Sequence, residues 1–228
     1  MAGATLNDIF DTDVDKINMP FRPLMDGRIA NNTAWNLSVS MHIILFLTSF
    51  LINFNLAIML AVFFLCSALY SAPPIQLSRK SILSHFDLSL TAFVIPFYAG
   101  IVYATGNFTI NSIILNFMIS LFFLFVSIFL LKDFKDIKGD VIKNKVTPVN
   151  QIGPAKTKML SMLTTLIFFP LSLYTFTFIR PLNTALIPLF VLLFSALLFS
   201  EYKITEKPER YFGTGRLLLF LLVLTFFT

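Results

Sequence analysis

Two short acidic segments, NDIFDTDVD (Asn7 to Asp15) and KDFKDIKGD (Lys132 to Asp140), stand about 120 residues apart at the edges of long apolar runs. As helices they would place Asn7, Asp8, Asp11 and Asp15 on one face, and Asp133, Asp136 and Asp140 on another, because residues three and four apart share a helix face. Like charges at that spacing destabilise a bare helix. Divalent cations with phosphate ligands remove the penalty. Mg²⁺ prefers octahedral oxygen coordination and usually binds through one or two carboxylates plus substrate phosphates. The two segments are therefore expected to hold a metal-bound diphosphate. The competing reading, two solvated loop faces, leaves so many carboxylates in so few residues without a reason.

Basic residues accompany both segments. Arg22 and Arg28 follow the first, Arg79 and Lys80 end the segment YSAPPIQLSRK, and Lys143 and Lys145 trail the second. Such cations would clamp phosphate oxygens, with Arg suited to bidentate contact. Together with metal they would neutralise a diphosphate leaving group as its bond to carbon breaks. Arg79 and Lys80 also read as ordinary charge at a membrane edge, and Lys156, Lys158, Lys203 and Lys207 read mainly that way. His42, inside an apolar run, is expected to be a hydrogen-bonded structural residue rather than a base. His85 is expected in a loop.

The elements that must position these groups are membrane helices. The chain is 57% hydrophobic and 13% charged, with a mean hydropathy of +0.82, where a soluble domain carries about 25% charged residues. Its 228 residues suit one bundle, a single domain over 1–228. The 28 Phe serve either an aromatic-lined interior or lipid-facing bulk, bulk being the commoner use. Cys66 stands alone in an apolar run, so neither a disulfide nor a thiolate metal site is expected. No secretory signal pattern opens the chain.

Seven stretches approach the roughly 20 residues needed to cross the hydrocarbon core: Leu37–Asn53, Leu56–Ser71, Leu88–Thr105, Ile110–Leu131, Met159–Ile179, Asn183–Ser200 and Arg216–Thr228. Pro96, Pro170 and Pro188 lie inside them and are expected to kink them. With alternating spans, 16 of the 17 Lys and Arg residues fall on one side, and only Arg180 on the other. All twelve Asp and Glu share the basic side. The positive-inside rule makes that side cytoplasmic, so an integral protein of the cell membrane with both acidic segments facing the cytoplasm is expected. The net charge of +5 is thereby spent on topology, and nucleic acid is not an expected partner.

The segment NDIFDTDVDKINMPFRPLMDGRI resembles the first signature of the UbiA superfamily of intramembrane prenyltransferases, N-D-x-x-D-x-x-x-D followed by R-P and a Gly. KDFKDIKGD resembles the second, D-x-x-D-x-x-G-D, and YSAPPIQLSRK resembles the Tyr-Ser, Pro and basic segment between them. The string KINMPFRP is most similar to the branch containing digeranylgeranylglyceryl phosphate synthase and chlorophyll synthase. The resemblance implies an all-α, multi-span transmembrane bundle that transfers a polyprenyl group from its diphosphate to a lipid or aromatic acceptor, using Mg²⁺. By resemblance Asn7, Asp8, Asp11 and Asp15 bind one metal–diphosphate shell and Asp133, Asp136 and Asp140 the second. Asp11, Asp15, Asp136 and Asp140 are the expected catalytic carboxylates. Arg22, Tyr70, Arg79, Lys80 and Lys145 join Asn7 in holding the diphosphate. The segment VIKNKVTPV keeps a Thr at Thr147 but sets Asn144 where the family has Gly, a mild change because Asn tolerates a left-handed backbone.

The family has nine membrane helices, with the first signature ending the second, so this chain is expected to lack the first two and with them part of the acceptor pocket. The implied reaction is ionisation of an allylic C–O bond and attack by an electron-rich acceptor, in a water-poor chamber where aromatic rings face the cation. Two alternatives are an inactive remnant that binds metal and diphosphate, and a cation transporter. A transporter should place ionisable groups near mid-membrane. Here the acidic residues keep to one end of the spans.

Overall fold

The computed structural model describes residues 2–179 and 186–225. Among these every named element is a helix, and the chain forms two compact units, one of residues 1–109 with 138–147, the other of residues 110–137 with 148–228.

The first unit opens with two short helices, α1 (Ala2–Phe10) and α2 (Thr12–Asn18), followed by the long apolar helices α3 (Asn31–Ile52) and α4 (Phe54–Ser71). Only Asn53 separates α3 from α4. Its extended backbone ends one helix, and its side-chain carbonyl accepts from Asn55 N (2.7 Å) and Leu56 N (3.3 Å) to cap the next, satisfying amides that a helix start leaves open. α1 packs on α3, with Phe10 edge-on to Trp35 at 6.0 Å. Gly3 lies so close to Ser67 of α4 that any side chain there would meet the Ser67 hydroxyl.

The third apolar element is α5 (Ser81–Ser89) continuing through a wide π turn at Leu90–Val94 into α6 (Ile95–Thr105). Pro96 lacks an N–H to donate, and the π winding directly before it takes up the fault. Gly106 ends α6 at φ +74, the left-handed cap that Gly adopts without strain. Its carbonyl receives the side chain of Asn55 at 2.9 Å, joining the two neutral turns of this unit. An apolar groove of about 350 Å³ runs between α3, α4 and α6, lined by Ser49, Met59, Phe63, Ile95 and Pro96 among others.

The second unit is built on α7 (Ser112–Leu130) against α10 (Pro154–Thr177), with α11 (Ile187–Tyr202) and α12 (Pro208–Thr225) beside them and the short α9 (Pro148–Ile152) ahead of α10. Ser120, Ser127, Ser161, Thr165 and Ser172 are fully buried. Small polar side chains let helix backbones approach closely in a membrane. Phe rings fill the remaining space: Phe123 stacks on Phe168 at 4.6 Å, and Phe169 packs on Phe194 at 4.9 Å. Others, such as Phe50, Phe178 and Phe220, lie on the outside, so both uses of Phe occur.

Among the described residues, five helical segments have the length and apolarity to cross a membrane: Asn31–Ile52, Phe54–Ser71, Ser81–Thr105, Ser112–Phe134 and Pro154–Thr177. The Ile187–Tyr202 helix is shorter, and α12 carries Glu209, Arg210 and Arg216. Helices α3, α10 and α12 start earlier than their apolar runs because they extend into polar sequence, Pro154 and Pro208 serving as first-turn residues. Two expectations are corrected. His85 is a buried residue of α5, not a loop residue. Pro188 occupies the first turn of α11, where no N–H is missed, instead of kinking a span. His42 lies in α3 with Nδ1 2.7 Å from the Ser38 carbonyl and its ring edge-on to Phe64. Arg180, the start of the span at Asn183 and the chain end from Phe226 lie outside the described residues.

Candidate functional site

The first acidic segment is a bent helix rather than a straight one. Asp11 N donates to Asn7 O and Asp15 N to Asp11 O, both at 2.9 Å, so helical bonding continues across the break between α1 and α2. The backbone at Asp11 (φ −98, ψ 16) nevertheless leaves the helical well. Thr12 explains why. Its hydroxyl donates to the Ile9 carbonyl at 2.8 Å and reaches that of Asp8 at 3.1 Å, and such side-chain competition bends helices.

The bend sinks Asp11, which is 3% exposed, and surrounds it with donors. Asn7 Nδ2 donates to Oδ2 at 3.0 Å and Gln76 Nε2 to Oδ1 at 3.4 Å. Lys145 Nζ stands 3.4 Å from Oδ2, and Arg79 Nη2 3.7 Å from Oδ1. One turn to either side, Arg22 Nη1 bridges Asp8 Oδ1 and Asp15 Oδ2, each at 2.5 Å. Arg79 also holds Asp13 at 2.7 Å. A positive charge thus sits between the two outer carboxylates, and two more meet the central one.

Lys145 arrives by way of the second acidic segment. Its last part, α8 (Ile137–Ile142), docks through Gly139, whose N–H donates to Asn18 Oδ1 at 2.8 Å. A Cβ at Gly139 would collide with the Asn18 side chain. Asn144 then adopts φ +51, the left-handed conformation expected for a residue in the place of Gly. The reversed chain runs beside Lys80, where Ser81 N donates to Val146 O at 2.8 Å. Asp140, 1% exposed, belongs to this docked segment.

Residues 1–224 match the UbiA prenyltransferase family, both signatures included. The chain belongs to that family. Digeranylgeranylglyceryl phosphate synthase of Sulfurisphaera tokodaii is 28% identical over 226 residues, covering 96% of this chain and 80% of that protein. Chlorophyll synthase of Oryza sativa subsp. japonica is 32% identical over 146 residues, covering 60% of this chain and 37% of that one. A solved UbiA homologue from Archaeoglobus fulgidus, bound to GPP and Mg²⁺, superposes with a TM-score of 0.74 at 20% identity, covering 99% of this chain and 81% of the other. At that identity the likeness is one of fold. As a UbiA family member the chain is an integral membrane prenyltransferase.

Not every expected site residue meets the first UbiA signature. Arg28 folds back on Asp26 at 2.7 Å and on the Phe21 carbonyl at 2.8 Å. Lys80 contributes backbone contacts while its side chain is exposed, and Lys143 is exposed. Tyr70 is buried at the end of α4. Asp133 and Asp136 belong to the second unit, Asp133 buried in a tight turn at Lys132–Phe134 and Asp136 paired with Lys135 at 3.2 Å. Sequence reasoning missed Gln76, Asn18 and Asp13. Asp13 carried a signal in its charge; Gln76 and Asn18 carried none.

The residues fit the group that the family implies. The donors of the first signature are all oxygens, the hard ligands that Mg²⁺ takes. No three of His, Cys, Asp and Glu among the described residues stand close enough to hold an ion unaided, so phosphate would have to complete the shell. Three buried polar atoms call for such an anion: Ser71 Oγ, Ser78 Oγ and Arg79 Nε make no hydrogen bond among the described residues. Phosphate oxygens are acceptors for all three.

Burial raises the pKa of Asp8 and of Asp15, and the Arg22 guanidinium pulls both back down. A raised carboxylate pKa means that protonation begins at a higher pH, so ligand-holding charge is lost early on the acid side. The fold itself loses nothing there, because groups raised above their unfolded values cost stability only while ionised. Replacing Arg22 by Ala removes the lowering influence. The acid limb of kcat/KM is then expected to move to higher pH, less so for Arg22→Lys, as pH–rate profiles would register.

Proposed function

We propose that this protein transfers a polyprenyl group, such as geranylgeranyl, from its diphosphate to the hydroxyl of a glycerol-phosphate lipid, in a Mg²⁺-dependent reaction at the cytoplasmic face of the cell membrane. The observation that carries this reading is the buried Asp11 carboxylate ringed by Lys145, Arg79 and Asn7, beside Arg22 set between Asp8 and Asp15. Bound Mg²⁺ supplies positive charge against the diphosphate oxygens. Asp8, Asp11 and Asp15 would hold it, and Asp133, Asp136 and Asp140 are assigned the same task. Arg79, Ser71 and Ser78 donate to the diphosphate directly, and Lys80 and Tyr70 assist from the same segment.

The allylic C–O bond breaks with its electron pair leaving on the diphosphate. The acceptor oxygen attacks the allylic carbon, and its proton passes to the released diphosphate. The chain's part is to hold the leaving group and to keep water from the cation.

A phosphate-bearing acceptor is favoured over an aromatic one by a concavity of about 470 Å³ lined by Phe134, Lys135, Lys207, Pro208, Glu209 and Arg210. Three of its six lining residues are cationic, and it opens at the start of α12, where helix amides favour anions. The relatives named digeranylgeranylglyceryl phosphate synthase point the same way.

Membranes containing the protein, given labelled geranylgeranyl diphosphate and Mg²⁺, are expected to label a geranylgeranylglyceryl phosphate acceptor and not 4-hydroxybenzoate or homogentisate. Chelation should abolish transfer and Mg²⁺ restore it. Labelling of an aromatic acceptor instead would overturn the acceptor; transfer surviving chelation would overturn the metal.

A further inference from the structure

Glu201 is a carboxylate with no exposed surface, and it lies far along the chain from either acidic signature. Its surroundings are hydroxyls on neighbouring helices of the second unit. Thr165 Oγ1 of α10 stands 2.5 Å from Glu201 Oε1, and Ser161 Oγ of the same helix 3.0 Å. Thr165 Oγ1 is also 2.8 Å from Ser127 Oγ of α7, and Ser161 Oγ donates to the Ser127 carbonyl at 2.7 Å. Ser127, Ser161 and Thr165 are all fully buried. No ion pair with Glu201 occurs among the described residues.

The carbonyl that this cluster takes up is a particular one. In a continuing α-helix the N–H of Leu131 would bond the carbonyl of Ser127. It bonds that of Ile128 instead, at 3.0 Å. From there the winding stays tight: Phe134 N donates to Leu131 O at 3.3 Å and Asp136 N to Asp133 O at 3.1 Å. With three residues per turn, side chains three apart eclipse, which puts Asp133 and Asp136 on one side. Ser127 is thus where α7 changes pitch to present the second signature, and Ser161 replaces the amide that its carbonyl gives up. A buried carbonyl without a donor carries a substantial penalty, so the change of pitch depends on Ser161 being held in place.

We infer that Glu201 is a positioning residue for prenyl transfer: by fixing the Ser161 and Thr165 hydroxyls against Ser127, it sets the tight turn that carries Asp133 and Asp136. The inference rests on the proposed role of those two carboxylates, but its structural half does not.

Hydrogen exchange of the purified protein in detergent, without substrate, tests that half. Glu201→Ala is expected to speed exchange of the 131–137 amides about tenfold, the loss of roughly one hydrogen bond's worth of protection, with α3 and α4 unchanged. Glu201→Gln keeps an acceptor oxygen and should restore the wild-type rates; Ser161→Ala, a smaller change, should reproduce the alanine effect in part. Mn²⁺ binding in the presence of prenyl diphosphate should weaken about tenfold in Glu201→Ala and Ser161→Ala and be normal in Glu201→Gln. Unchanged exchange at 131–137, or faster exchange spread evenly over every helix, would overturn the inference. If exchange responds as expected while wild-type membranes label no acceptor, the positioning stands and the prenyl-transfer reading falls.

Discussion

Asp11→Asn is expected to lower kcat/KM for prenyl transfer by about 10³-fold, the scale on which one preorganised charge-stabilising group acts, while the protein still accumulates in membranes and melts as a folded species. The substitution keeps the size of the side chain and removes its charge. That charge is the anion beneath Lys145, whose side chain is 10% exposed, and beside Arg79. Leaving a buried cation without its partner is strongly unfavourable, and a neutral amide is a poorer ligand for Mg²⁺ than a carboxylate. Asp13→Asn is the matched control. Asp13 also pairs with Arg79, at 2.7 Å, but its side chain is 44% exposed, and exposed pairs contribute about 0–1 kcal/mol. Its effect is expected to stay within about threefold. Equal losses in the two variants would trace the effect to Arg79 and not to the carboxylate at the centre of the site. The Mg²⁺ concentration for half-maximal rate separates them further: it should rise steeply for Asp11→Asn and stay put for Asp13→Asn.

That contrast marks the limit of what spacing discloses. The period of a helix is enough to gather Asn7, Asp8, Asp11 and Asp15 on a face, and the apolar runs are enough to mark the chain as a membrane bundle. Neither tells that Asp11 is buried while Asp13, two residues on, is exposed. Helix geometry sets the two on opposite sides, about 200° apart, but which side is covered depends on Asn7, Gln76, Arg79 and Lys145 closing over Asp11. Residues whose roles depend on distant partners were equally silent. Gln76 reaches Asp11 across 65 positions, and Glu201 reaches Thr165 across 36. Hydropathy pointed to membrane helices but set several of their starts late, because a run of apolar residues ends where the lipid does and a helix does not. His85 was misplaced for that reason: its segment, Ser81–Ser89, is polar enough to read as a loop yet continues the helix inward. Asn144 was legible because a left-handed position admits few residue types, and φ +51 is what the sequence there requires.

Gly139 is a stricter case of the same logic, since its demand is for space and not for conformation. Gly139→Ala is expected to lower prenyl transfer about 100-fold, the cost of misplacing a reacting group by roughly an ångström, and to reduce stability by about 1–3 kcal/mol through overpacking. The added Cβ would run into the carboxamide of Asn18, which now accepts from Gly139 N at 2.8 Å. The Asn18 carboxamide is tied to Gly139 N, so the α8 backbone is expected to give way; Asp140 next in sequence then moves, and Lys145, bonded through its N–H to the Asp140 carbonyl at 2.8 Å, moves with it away from Asp11. The clash involves only atoms of Asn18 beyond Cβ, so it can be removed from the other partner. Asn18→Ala alone loses one hydrogen bond, about 1 kcal/mol, and should reduce activity about fivefold. The double variant Asn18→Ala/Gly139→Ala has room for the new methyl and is expected to return to the level of Asn18→Ala, making it more active than Gly139→Ala by more than tenfold. Additive losses would mean that Gly139 serves the site by its backbone and not by the space it leaves. Rescue would identify the contact between Asn18 and Gly139 as what seats the second signature's Asp140 and the Lys145 cation beside the first.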